Sequence, residues 1–136
     1  MSAGDDETLR VADLAPVVDG RVTIRTADHG TVVLDEPSWC AGVHRQDGFR
    51  ADIVHQGEDD VLTFEARGAV SELLTAFVTQ RPFSADPHVY LAVDLDGDFV
   101  ELDPPGVDRL AAALTDRASQ LRHSARRLAV LRGGAR

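Results

Sequence analysis

The chain of 136 residues has no lysine and a single cysteine, and aromatic residues make up only 5% of it. One cysteine excludes an intramolecular disulfide. Few aromatic rings leave Val, Leu and Ala to fill the core. No apolar run approaches the roughly 18–20 residues that a membrane helix needs. Neither a Walker-type loop nor a glycine-rich dinucleotide loop is present. The acidic start, residues 1–8, lacks the hydrophobic stretch of a signal peptide, so the expected location is the cytoplasm.

What is present fits one domain of ordinary apolar content, 43%. A chain of this size buries roughly two-thirds of its unfolded surface and needs no covalent staple to hold a core. The net charge of −9 is unevenly placed. Residues 117–136 carry six Arg and no acid, whereas residues 1–116 carry eight Arg against all 23 acids. A body this acidic repels nucleic-acid phosphates, so only the basic tail could touch them.

Three organisational segments are expected. Residues 1–8 read as a disordered tail, 9–103 as a β-rich domain, and 104–136 as an amphipathic helix with a basic end. Residues 21–25 and 31–34 alternate as half-buried strands do, and Asp28-His29-Gly30 supplies a turn between them, giving a hairpin over 21–35. Residues 52–55 read as a short strand and 61–66 as a clearer one. Residues 70–79 fit either period; their Thr, Phe and Val favour a strand that pairs with residues 88–95. Asp96-Gly97 signals a hairpin to residues 99–102. Asp103 then caps a helix that opens on Pro104 and Pro105 and runs to about residue 132. The fold class is therefore α+β: a small antiparallel sheet followed by one long C-terminal helix.

Residues 36–56 fit no regular element, yet they hold the only Trp, the only Cys and two of the five His. Cys40 and His44 are four apart and can meet on one side of a turn, and His55 returns on a strand. Thiolate and imidazole are the usual ligands of structural zinc, which takes four in a tetrahedron. Glu36 supplies a candidate fourth, with Asp35, His29 and the acids near Asp59 as weaker ones. Each of these residues also has an ordinary reading, a buried small Cys or a hydrogen-bonded His. A Cys-His nucleophile pair is disfavoured because nothing nearby suggests an oxyanion hole. Asp94, Asp96 and Asp98 alternate like a calcium loop, but Gly97 comes too early and the twelfth-position Glu is missing, so a hairpin tip is expected.

Pro37-x-Trp39-Cys40, followed by His44 and His55, resembles an uncharacterised actinobacterial family. Its members carry Cys-Pro-x-Trp-Cys, a nearby His, a later Val/Leu-His, and an Arg/Ala/Leu-rich C-terminal helix. Residues 81–83 and 89–95 look similar too, and the resemblance covers about residues 30–132. It brings no activity with it. The resemblance implies a Cys/Cys/His/His zinc site in which Cys40, His44 and His55 match three positions. Glu36 stands where the first Cys would be, so either its carboxylate binds the metal or the site is degenerate.

Function is then expected to be that of a non-catalytic interaction or regulatory module, zinc-stabilised at the knuckle 36–56, and not an enzyme. The apolar stripe of the helix is expected to recruit a protein partner or form a homodimer. The alternative is a nucleic-acid-associated regulator that contacts phosphates through the Arg-rich helix. It is disfavoured because Arg109, Arg122, Arg126 and Arg127 avoid the apolar stripe and no aromatic residues are interleaved for base stacking.

Overall fold

The computed structural model describes residues 13–134; the expected tail 1–8 lies outside the described residues. The chain divides into two units, one ending at Glu101 and one starting at Leu102. The α+β reading holds, but the first unit has two antiparallel sheets where one was expected.

The first sheet is β1 (Val17–Val18), β2 (Arg21–Arg25) and β3 (Thr31–Asp35), in that order. The hairpin expected over 21–35 is present, with Val22 opposite Leu34 and Ile24 opposite Val32. Period-two alternation turns Val22 and Ile24 inward, leaving them 0% and 2% exposed. Ala15 and Ile53 pack with them, and Leu34 and Phe83 close the cluster. Burying each of the larger side chains is worth about 1.5–3 kcal/mol. Arg50 lies over the Phe83 ring, 5.0 Å from its centroid.

The second sheet is built on a long strand. It contains β4 (His55–Gln56), β5 (Asp60–Ala66), β6 (Ala69–Gln80), β7 (Tyr90–Leu95) and β8 (Asp98–Leu102), all linked through β6 and β7. Residues 70–79 are thus strand. Their expected partner pairs only with one end, Ala76–Thr79 against Tyr90–Val93. The longer partner of β6 is β5, reached through Arg67-Gly68, where both residues adopt positive φ. This is the backbone of a primed two-residue turn, whose twist matches that of the strands. Asp96-Gly97 makes the same turn between β7 and β8. The β4 strand pairs with the other end of β6, His55 opposite Gln80.

Two expectations are corrected. Residues 50–52 form a 3-10 turn, and the strand expected over 52–55 begins only at His55. The reason is that Arg50 Nα–H donates to Asp28 and Ile53 N–H to the Arg50 carbonyl, which holds this stretch in a turn rather than a ladder. Likewise, the strand expected from residue 88 begins at Tyr90, because Asp86 accepts from both the backbone and the ring of His88.

The second unit is α1 (Pro104–Gly134). Asp103 caps it: its Oδ1 accepts from Gly106 N–H at 2.9 Å, satisfying a donor that the first turn leaves without a partner. At 1.5 Å per residue the helix is about 46 Å long. It runs through Gly133 and Gly134, two residues past the expected end. Among the described residues, no helix is long and apolar enough to cross a membrane.

Candidate metal centre

The irregular segment after β3 is held from both sides. Glu36 N–H donates to the Gly20 carbonyl at 2.8 Å, fixing its start beside the first sheet. Cys40 N–H donates to the Pro37 carbonyl at 3.0 Å, closing a turn over Pro37–Cys40, and Ala41 N–H donates to the Gln56 carbonyl of β4 at 2.9 Å. The His44 carbonyl accepts from Ala15 N–H. Farther along, Arg25 grips Asp47 through two nitrogens at 3.0–3.1 Å. The loop therefore bridges the two sheets, and β4 brings His55 to it from the second sheet.

These constraints bring Glu36, Cys40, His44 and His55 together. One ligand-type atom from each lies within 4.8 Å of all the others, a group that could hold a metal ion. His44 Nε2 is 2.9 Å from both carboxylate oxygens of Glu36 and 3.6 Å from Cys40 Sγ. His55 Nδ1 is 3.0 Å from Glu36 Oε1. The side chains of both His are 3% exposed and that of Glu36 is 7%. The two imidazoles meet edge to face at 5.3 Å, and the Trp39 ring stands edge-on to His55 at 6.2 Å.

Counting protons shows what this arrangement needs. Both carboxylate oxygens of Glu36 converge on His44 Nε2, which has at most one proton to share between them, and the Cys40 sulfur stands beside it. His55 Nδ1 has contact distance to Glu36 but not hydrogen-bond geometry, so it is a buried nitrogen without a hydrogen-bond partner. Buried polar atoms are rarely left so. The cluster is rich in lone pairs and short of positive charge. One separation already suits an ion: tetrahedral bonds of about 2.3 Å to sulfur and 2.0–2.1 Å to nitrogen place S and N about 3.6 Å apart. Cys40 Sγ and His44 Nε2 are at that distance.

The proton affinities agree with this chemistry. Burial pushes the His55 pKa down, more than the nearby Glu36 raises it, which favours the neutral, ligating imidazole. Burial raises the Cys40 thiol, countered by backbone N–H groups of Gly42, 3.4 Å away, and of Gln56. A metal would have to displace that proton.

All four sequence-derived candidates are therefore in one place. The weaker ones are elsewhere: His29 pairs with Asp28, Asp35 with Arg21, and Asp59 is outside the group. One supporting residue escaped the sequence reading. Gly57 sits against the knuckle, and a Cβ there would come 3.1 Å from the Trp39 carbonyl. Its only sequence signal is a Gly two residues after His55.

A family model described as a domain of unknown function (DUF6907) matches residues 21–130, a span that contains all four cluster residues. No curated protein and no solved structure matches the chain.

Proposed function

The chain belongs to the DUF6907 family, and from that premise we propose a non-catalytic interaction module whose knuckle is held by one structural zinc ion and whose helix α1 meets a protein partner. The convergence of four ligand-type side chains, the two histidines buried and Glu36 and Cys40 half-buried, with His55 Nδ1 lacking a hydrogen bond, supports the zinc half of this reading most directly. A thiolate and two imidazoles suit zinc rather than magnesium or calcium. Four protein ligands fill a tetrahedron and leave no position for a substrate, the pattern of a structural site. Cys40, His44, His55 and Glu36 would hold the ion, which would cross-link the end of β3, the loop and the start of β4. That bond replaces core that the chain otherwise has in modest supply, since only Ala15, Val22, Ile24, Ile53, Ala92 and Val93 are buried hydrophobics among the described residues.

Native mass spectrometry of protein purified without chelator should show one zinc per chain, and X-ray absorption one sulfur at about 2.3 Å with nitrogen or oxygen at about 2.0–2.2 Å. The double variant Cys40→Ser, His44→Ala should lose the ion. Wild-type protein that stays folded and metal-free in micromolar zinc would sink the zinc reading.

A further inference from the structure

Val107, Ala111, Leu114, Ala118, Leu121, Ala125 and Leu128 follow one another along α1 at spacings of 4, 3, 4, 3, 4 and 3 residues. The period is 3.5, held over three heptads, which is that of a supercoiled seam rather than of a straight amphipathic helix. Within the seam, leucine alternates with alanine. Leu114, Leu121 and Leu128 are 45%, 60% and 54% exposed.

We infer that α1 forms an antiparallel two-stranded coiled coil with α1 of a second copy, each leucine seated on an alanine of the other chain. This deepens the partner half of the reading above and rests on it. Side-chain volume sets the orientation. In a parallel pair, equal positions face each other, so layers would alternate Leu against Leu and Ala against Ala, leaving voids at the alanines. In an antiparallel pair, Ala111 faces Leu128 of the other chain, Leu114 faces Ala125, and Ala118 faces Leu121. Each of these layers then has one large and one small residue, with Val107 opposite Arg132 at the ends, and the helices can approach closely along the leucine-alanine stretch.

Charge points the same way. From Arg117 to Arg132 the helix holds five Arg and no acid, whereas its first half holds Asp108 and Asp116 against the single Arg109. A parallel pair would lay arginines beside arginines, and an antiparallel pair lays each basic half along the acid-bearing half of the other. Register agrees as well. Pairing Ala118 with Leu121 centres the seam between residues 119 and 120, next to the midpoint of Pro104–Gly134, so nearly the full helix overlaps.

The test uses the full chain. Sedimentation velocity at micromolar concentration should give a dimer that Leu121→Glu converts to a monomer. Differently tagged Ala111→Cys and Leu128→Cys proteins, mixed and oxidised, should cross-link to each other. Ala111→Cys alone should not cross-link to itself. Self-cross-linking at 111 would mean a parallel pair and overturn the inference. So would a wild-type monomer. Native mass spectrometry of the wild-type protein separates the two readings: a zinc-loaded monomer refutes the coil and leaves the site, whereas a zinc-free dimer does the reverse.

Discussion

Replacing Glu36 by Gln keeps the side chain's length and removes one negative charge from a position that is 7% exposed. With zinc bound, the Cys40 thiolate and the Glu36 carboxylate together neutralise the ion. Gln leaves one positive charge uncompensated in a buried site, where charge is costly. Linkage sets the size of the effect. Free zinc at 100 times Kd stabilises the fold by about 2.7 kcal/mol; if Gln raises Kd a hundredfold, the same zinc contributes only about 0.4 kcal/mol. The difference, about 2.3 kcal/mol, lowers Tm by about 10 °C in a domain of this size. Without zinc the balance changes. Wild type then buries a carboxylate whose hydrogen bond to His44, worth about 1.5–3 kcal/mol, is offset by desolvation. Metal-free wild type and variant should therefore differ by no more than about 1 kcal/mol. Four calorimetric melts, wild type and Glu36→Gln each in zinc and in chelator, measure this coupling. Equal destabilisation in both conditions would show that Glu36 serves only its histidine contacts, and the reasoning would fail.

Gly57→Ala should destabilise by about 1–3 kcal/mol, because the new methyl meets the Trp39 and Val78 carbonyls, both backbone, at 3.1 and 3.6 Å; denaturant midpoints will show it, and an unchanged midpoint would mean that the knuckle yields freely. Asp103→Ala should cost about 1 kcal/mol through the lost cap to Gly106 and should fray the start of α1, seen as faster amide exchange at Gly106 and Val107. Asp86 accepts from Tyr90 O–H and from His88, which lowers its pKa below the ordinary 3.8. A depressed carboxylate contributes stability that is present above its unfolded pKa and lost as pH falls through its folded one. The Tm advantage of wild type over Asp86→Asn should thus be full above about pH 5 and shrink progressively in stronger acid; an advantage that persists there refutes the assignment.

Much of this protein could be read directly from its sequence because the signals are local. Alternation in Arg21–Arg25 and Thr31–Asp35 specifies a hairpin, since a one-residue slip would turn Val22 and Ile24 to water. Asp103 followed by two prolines specifies a helix start through the hydrogen bonds of a single turn. The candidate ligands were recognisable by residue type, three of them, Glu36, Cys40 and His44, within nine positions of one another. Other features depend on partners distant in the chain. The division into two sheets, and the choice of β5 over β7 as the main partner of β6, follow from which strands meet, not from any one strand's pattern. Residues 70–79 carry helical spacing and strand-forming residues together, and pairing on both edges of β6 decides between them. The same holds for the cluster. Sequence supplied Glu36, Cys40, His44 and His55, but His55 reaches the others only because β4 pairs with the end of β6 while Ala41 N–H binds the Gln56 carbonyl. Residue type fixes which atoms can donate a lone pair; only the packing of one sheet against a loop from the other brings four such atoms within 4.8 Å of one another and takes the two imidazoles out of water.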